Sequence, residues 1–552
     1  MHPPMIERRW FLVLGVVALA TLAAGLGLRD PWPADEPRFA LVAREMVATG
    51  DWLFPHRNGE LYADKPPLAM WLIAAAYWAT GDMRIAFLLP SLLAGLATLA
   101  LVVDLARRLW GTRPALYAGV LLLISFQFAW QSRNAQLDAL VVGWTTLGVY
   151  GLARHLLLGP AWGWCAVAFL AMGCGVITKG VGFLPVLMLL PWAVSRWQGA
   201  RGLAPVGADW RWLVALLLVA PIAAWLVPML QAVATSADPA LAAYRDNILF
   251  KQTARRYADP SHHVKPPWYF LVQLWSLWAP LSLLLPWAIP AWWRRVRRGD
   301  GRQHLLLGWV VLVLAFFSLS PGKRGVYIYP VLPVLAVAVA PLLPGLLRRR
   351  ELRGAALGLA LLVSAALLVA GGALAAGLIP ARLLARAATE GVDAGMLASL
   401  ALPALLAGGL TAAWIGWTRR GPLALAGTLI LGWIVAASLI LPRLNPARQP
   451  GALMARADAL VAEPGALGMV RFKEQYALMA PRGLTSFGYQ RRDIVVEMAE
   501  AAAWLRARPG RVLMIPDDAL DVAPVVQERL LPLGHAHGEA WFAARAEALT
   551  QP

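Results

Sequence analysis

The chain has 552 residues, 59% hydrophobic and 15% charged, which is more apolar surface than one soluble core can use; a soluble globular enzyme is excluded and a polytopic α-helical membrane protein is implied. Lys plus Arg total 50 against 31 Asp plus Glu, a formal net charge of +19, and in a membrane chain such an excess fixes topology and meets anionic lipid rather than nucleic acid. The two cysteines, Cys165 and Cys174, lie nine residues apart in one apolar segment; if that segment is helical they stand about 13 Å from each other and cannot form a disulfide together.

In chain order, the run from Trp10 to Leu28 is long enough to remain in the bilayer and carries no convincing cleavage site, so it is expected as the first span. The stretch 30–83 follows as an external loop, dense in charged and aromatic residues. Asp35-Glu36-Pro37 has the form of a helix start, because the residue before proline is pushed out of the α region while proline suits the first helical position. The spacing of Phe39, Val42, Ala43, Met46 and Val47 predicts an amphipathic helix over 37–49 that lies with its apolar face on the membrane surface, Arg38, Arg44 and Glu45 pointing elsewhere. Lys65-Pro66-Pro67 opens a second helix over 68–79, whose first turn leaves free backbone N–H groups beside a lysine, a ready anion site. Two carboxylates, Asp35 and Glu36, at one end and Lys65 at the other suit a glycosyl phosphate; a capped helix with surface charges is the plainer reading of the same spacing.

Further apolar runs fall at 84–106, 114–131, 138–158, 161–177, 180–196, 210–230, 268–292, 304–320, 325–346, 355–378, 398–417 and 422–441, for about 13 spans in all. The division of 161–196 rests on Ile177-Thr178-Lys179-Gly180 alone. With the N-terminus inside, Arg8, Arg9, Arg107, Arg108, Arg113, Arg154, Arg294 to Arg298 and Arg348 to Arg353 fall in or beside cytoplasmic connections. The short opposite loops hold only Arg133, Lys179, Lys323, Arg324, Arg382 and Arg386, an asymmetry that supports this topology. It sends the loops 30–83, 131–138, 231–267 and 320–325, with the tail after Leu441, to the external face. No nucleotide is available there, so an enzyme on that side needs a preactivated, lipid-carried donor.

Asp138 stands at the mouth of a span, where a carboxylate is costly without a function or a partner, and Arg133 is the partner nearest in sequence. The loop 231–267 carries Lys251, Arg255, Arg256, Tyr257, His262 and His263, then Lys265-Pro266-Pro267-Trp268, a repeat of the Lys-Pro-Pro opening. His262 and His263 are metal-ligand candidates or ordinary loop residues. Lys323, Arg324, Tyr327 and Tyr329 form another basic and aromatic mouth, suited to lipid phosphate or to an interfacial belt. From Pro442 the composition turns more polar. Strands are expected at 467–472, 484–489 and 511–516 and helices at 493–508 and 523–531, a small α/β domain over 442–552 beside a transmembrane catalytic domain over 1–441.

The run Asp35-Glu36-Pro37-Arg38, Arg44-Glu45-Met46, Gly50-Asp51-Trp52, Pro55, Asn58-Gly59 and Lys65-Pro66-Pro67-Leu68 resembles the first external loop of the bacterial lipid A aminoarabinose transferases, membrane glycosyltransferases of the GT-C fold related to protein O-mannosyltransferases. The resemblance implies an undecaprenyl phosphate donor carrying 4-amino-4-deoxy-L-arabinose and transfer to lipid A phosphates at the periplasmic face of the bacterial inner membrane. Resistance to polymyxin and other cationic antimicrobial peptides would follow, from a monomer with no required cofactor and the need for a divalent metal left open. By the same likeness Asp35 sits at the catalytic acidic position, Asp138 at the second carboxylate, and Tyr62 and Lys65 at the donor phosphate. Arg38, Arg255, Arg256 and Tyr327 match further phosphate contacts, and Lys179 more loosely a basic residue at an external span boundary. A related transferase for another sugar or a protein or glycan acceptor shares the loop. A polyprenyl-sugar flippase is the reading from another class; it predicts mid-membrane polar residues and paired interrupted helices, whereas the charges here cluster in loops.

Overall fold

The computed structural model describes residues 5–250, 264–488 and 493–550. Among these, seven helices are long and apolar enough to cross a membrane, eight if the bent pair Tyr269–Leu277 and Ser282–Arg297 counts as one span. Every apolar run expected to span is helical, but several are broken. The stretch 268–292, expected as one span, turns through 109° between its two helices, at Ala279-Pro280, where the chain loses a backbone donor and the residue before proline is forced out of the α region. The run 161–196 does divide where expected: the Trp162–Lys179 helix stops on Gly180, held in the left-handed region at φ 84°, and helix resumes at Leu184.

The helix Leu137–Leu157 is the hub of the membrane part, packed against Leu89–Trp110 on one side and Trp162–Lys179 on the other. It is buried on nearly all sides, which is why its sequence is apolar all round rather than striped. One core joins these helices to the tryptophans Trp278 and Trp309 and to the Val331–Val339 helix. Arg350–Ala375, Ala401–Thr418 and Gly421–Val435 pack mainly on one another, around Ala360, Ile415, Ala424 and Leu425.

The helix expected at 37–49 runs Glu36–Thr49 and the one expected at 68–79 runs Leu68–Thr80. The first does not lay an apolar face on the membrane surface. Phe39, Val42, Ala43 and Met46 pack against Tyr62, Met70, Ile73 and Phe87, while Leu41 on another side packs against Phe472 and Ala477 of the C-terminal part. The helix is thus walled in by protein on both faces. Strands β1 (His56–Arg57) and β2 (Glu60–Leu61) form a hairpin between the two helices. Its turn, Asn58-Gly59, has φ of 53° and 80°, the geometry that a two-residue turn of this hand demands and that Asn-Gly supplies cheaply. Glu45, on the first helix, accepts from both turn amides, Asn58 at 2.7 Å and Gly59 at 3.1 Å.

The C-terminal part is built on a five-stranded mixed sheet in the order β4-β3-β5-β7-β6, with β3 at Leu467–Met469, β4 at Thr485–Ser486, β5 at Val512–Pro516, β6 at Leu531–Ala536 and β7 at Glu539–Ala544. The Ile494–Arg506 helix covers one face, where Met498, Ala501 and Leu505 meet Leu513 and Ile515. The helix expected at 523–531 is absent. Pro524 and Pro532 bracket the segment, Val525 pairs as an isolated bridge with Leu549, and only Gln527–Arg529 makes a single helical turn before β6 begins. Helical turns continue past 441 to Arg448, and Asn445 within them and Gln449 just after them fasten the first loop, Asn445 accepting from Asp30 N and Trp32 Nε1 and Gln449 donating to Pro31 O.

Candidate active site

Asp35 occupies the residue before the Glu36–Thr49 helix, with no backbone amide bonded to its side chain. Its carboxylate faces two arginines instead, Arg38 Nη1 at 3.6 Å and Arg324 Nη2 at 3.9 Å, and its side chain is 24% exposed. Both distances are ionic contacts longer than hydrogen bonds, so the carboxylate is held electrostatically yet open to a ligand. Glu36, its neighbour, behaves differently. It is buried, takes Arg29 bidentately at 2.5 and 2.8 Å, and accepts from Trp32 N and Ala135 N. Arg29 lies 5.0 Å from the centroids of both Trp32 and Phe87. Glu36, expected from sequence among the substrate contacts, therefore ties the first loop to the loop 131–138.

Asp138, in the first turn of its helix, does not pair with Arg133. It takes Lys179 Nζ at 2.5 Å, and the same ammonium lies 5.4 Å from the Tyr327 ring centroid. Lys179 can reach because it is the last residue of its helix, an end that also favours a cation. Arg133 turns instead to the carbonyls of Thr21, Ala24 and Trp433; burial, and secondarily the charge of Arg29, bring its pKa down to about 10.

The short 3-10 helix Gly325–Ile328 brings these pieces together. Arg324, just before it, faces Asp35, while Tyr327, three residues on and bonded to the Arg324 carbonyl at 3.0 Å, faces Lys179 and so Asp138. Residues three apart on such a helix share a side. The two carboxylates picked out from sequence thus border one basic and aromatic turn. Lys323 beneath it is buried and spends its charge on the carbonyls of Lys265 and Ser320, at 3.0 and 2.5 Å. Together with the Lys265 N to Pro321 O bond this locks 264–265 against 321–323, and leaves Lys265 at the exposed rim.

Tyr62 is fully buried beside the helix start, its amide bonded to Pro55 O at 2.7 Å, and Lys65 is half-buried at the opening of the second helix. Arg38 donates from Nε to Glu474 at 2.8 Å. Burial opposes its charge, but the attraction of Glu474, then Tyr62, the hydrogen bond to Glu474 and Asp35 outweigh it and hold its pKa above the ordinary arginine value. Arg255, Arg256, His262 and His263 lie outside the described residues. Sequence reasoning passed over Glu474, Arg57 and Arg29, all in ion pairs that pin this loop; in Arg29 and Arg57 the available signal was basic charge beside the acidic loop residues, and in Glu474 there was none.

The chain is thus a polytopic helical membrane protein whose first loop presents this arrangement beside the Gly325–Ile328 turn. The family model for dolichyl-phosphate-mannose-protein mannosyltransferases matches residues 64–225. In fold the chain is ArnT-like: it superposes on the crystal structure of ArnT from Cupriavidus metallidurans bound to undecaprenyl phosphate with a TM-score of 0.75 at 22% identity, covering 98% of this chain and 99% of that one, and on the apo state with 0.74. In sequence it is 34% identical over 341 residues to undecaprenyl phosphate-alpha-4-amino-4-deoxy-L-arabinose arabinosyl transferase 1 of Pseudomonas fluorescens, covering 60% of this chain and 59% of that relative. The corresponding transferase of Pseudomonas aeruginosa strain UCBPP-PA14 is 34% identical over 375 residues, 65% of each chain. The chain thus spans between 59% and 65% of the length of these two relatives.

Proposed function

We propose that this protein is a lipid-to-lipid glycosyltransferase that moves 4-amino-4-deoxy-L-arabinose from undecaprenyl phosphate to phosphates of lipid A. The observation that carries the reading is the placement of Asp35 beside Arg324 and of the Asp138–Lys179 pair beside Tyr327, along one turn, in a chain whose first loop also holds Lys65 and Tyr62. In this reading the chain crosses the inner membrane about 13 times as a monomer and works at the periplasmic face, with 442–552 as a periplasmic domain.

The reaction is direct displacement at the anomeric carbon, with the lipid phosphate as leaving group. Lys65, Tyr62 and Tyr327, with Arg38, Arg255 and Arg256, stabilise the charge that builds on the departing phosphate. A lipid A phosphate is already anionic near neutral pH and needs little deprotonation, so Asp35 positions the acceptor or the cationic amino sugar; a hydroxyl acceptor would require it as general base. Asp138 and Lys179 set the electrostatics at the Tyr327 end of the turn.

The test is mass spectrometry of lipid A from cells with the gene, without it, and with Asp35→Asn at equal membrane abundance. The aminoarabinose adduct is expected only with the wild-type gene. Lipid A identical in all three would remove lipid A as the acceptor, and an adduct at the wild-type level with Asp35→Asn would remove Asp35 from the mechanism.

A further inference from the structure

Glu474 belongs to the C-terminal part, where it begins the short helix Glu474–Met479. Its carboxylate is nonetheless spent on the first loop. Oε1 accepts from Arg38 Nε at 2.8 Å and lies 2.7 Å from Arg57 Nη2, with the side chain only 9% exposed. Arg38 in turn presents Nη1 to Asp35 at 3.6 Å. A chain of four alternating charges, Arg57, Glu474, Arg38 and Asp35, therefore passes through this one carboxylate of the C-terminal part on its way to Asp35.

We propose that Glu474 is a positioning residue of the transfer site. By holding the Arg38 fork from its Nε edge, it sets how closely that guanidinium approaches Asp35. The proposal rests on the glycosyl-transfer reading above.

A guanidinium is planar and its donors are fixed relative to one another, so tying Nε also orients the Nη groups. With Glu474 in place, Arg38 is shared between two carboxylates and stops short of a hydrogen bond with Asp35. Without Glu474 its strongest remaining partner is Asp35, and a closed bidentate pair takes that carboxylate away from substrate. Docking of the C-terminal part does not need this contact alone. Arg44 donates to the carbonyls of Ala477 and Leu478 at 2.9 and 3.2 Å, and Asn58 Nδ2 donates to Leu484 O and Ser486 Oγ at 3.1 and 2.8 Å. Those contacts touch the same surface and leave Asp35 alone, so the two roles separate by mutation.

The full chain is purified and three quantities are measured: the transfer rate from a polyprenyl-phosphate-aminoarabinose donor to lipid A, the affinity for undecaprenyl phosphate, and the melting temperature. Glu474→Gln alone leaves two arginines facing each other without a counter-ion, so it is paired with Arg57→Gln, which keeps the charge balance. Glu474→Asp keeps the charge but withdraws it by one methylene, and Arg44→Ala is the docking control. The Glu474→Gln/Arg57→Gln pair is expected to lose about tenfold to a hundredfold in kcat, and its undecaprenyl phosphate affinity should weaken by a smaller factor, because a closed Arg38–Asp35 pair also draws Arg38 away from the phosphate. Glu474→Asp should fall between the pair and wild type, and Arg44→Ala should melt lower but keep kcat within about twofold. Wild-type kcat in the Glu474 variants overturns the proposal, as does an equal loss of kcat in Arg44→Ala, which would assign the effect to docking. A wild-type chain unable to transfer from any such donor overturns the reaction itself and this proposal with it, an outcome visible before any variant is made.

Discussion

Asp35 and Glu36 are adjacent carboxylates about 100° apart around the start of one helix, and that angle separates their work. Glu36 points into a ring of four donors from three residues while Asp35 points at two distant guanidinium groups. A sequence shows both carboxylates at the helix start but not which way each is aimed. For the same reason the pairing of Asp138 with Lys179 rather than Arg133 was not legible, since it depends on where a second helix ends 41 residues later. That pair makes a sharp prediction. Its side chains are 13% and 18% exposed, so Lys179→Met strands a mostly buried carboxylate and should cost about 2–4 kcal/mol of stability. Asp138→Asn together with Lys179→Met removes both charges and should recover most of that loss, while transfer stays absent in either. A double-mutant cycle on thermal unfolding checks it; additive losses would mean that the two groups do not interact in the folded state.

At the scale of elements, starts marked by proline and stops marked by glycine were legible: Glu36–Thr49, Leu68–Thr80 and the end at Lys179 all fall within a residue or two of expectation. What failed was whatever depends on a partner far along the chain. The first helix looked like a membrane-surface helix because its polar residues Arg38 and Arg44 had no visible destination; they meet Glu474 and the carbonyls of Ala477 and Leu478, over 430 positions away. The β6–β7 hairpin was missed because its turn is His537-Gly538 rather than Asn-Gly, although His537 takes the same left-handed φ, 56°. That histidine carries a pH prediction. Burial, helped by the charge of Lys473, holds its pKa below the ordinary value, against the raising effects of its bond to the Arg448 carbonyl and of Glu539. The unfolded chain therefore takes up a proton near pH 6.5 that the folded chain still refuses. The stability is fully present above that pH and is lost as pH falls from there toward the folded pKa. His537→Asn, which tolerates the same φ, should lose less melting temperature between pH 7.5 and 5.5 than wild type. An equal drop in both would remove His537 from the response.

For the whole molecule, hydropathy was enough to locate every apolar run, because burial in lipid or in a helix bundle imposes the same composition; it could not foresee which runs would stay straight. Sidedness rests on arginine placement, so a reporter fused after Leu441 is expected outside and one between Arg294 and Arg302 inside, and both reporting from one side would overturn the span parity between them. In the proposed reaction two lipids have to meet at one site. A polyprenyl tail is too long and apolar for a closed aqueous cleft, so its phosphate head has to arrive sideways from the outer leaflet, through a gap between helices. The bent pair offers such a rim. Its first helix turns Trp268, Leu271, Val272 and Trp275 outward, all exposed, at the helical spacing of one lipid-facing stripe. Just before it, Lys265 sits at the open edge, its backbone fastened to the 320–323 segment that leads into the Arg324–Tyr327 turn. A head group moving along that stripe would pass from Trp268 to the turn that borders both carboxylates. Enlarging or crosslinking positions 268 and 269 is therefore expected to impair long-chain donors several times more than water-soluble short-chain ones, read as the ratio of kcat/KM for the two. The competing role is that Trp268 and Tyr269 simply anchor the helix at the headgroup level, as interfacial aromatics do. Anchoring acts on the protein whatever the donor, so equal losses with long and short chains would refute entry at this rim.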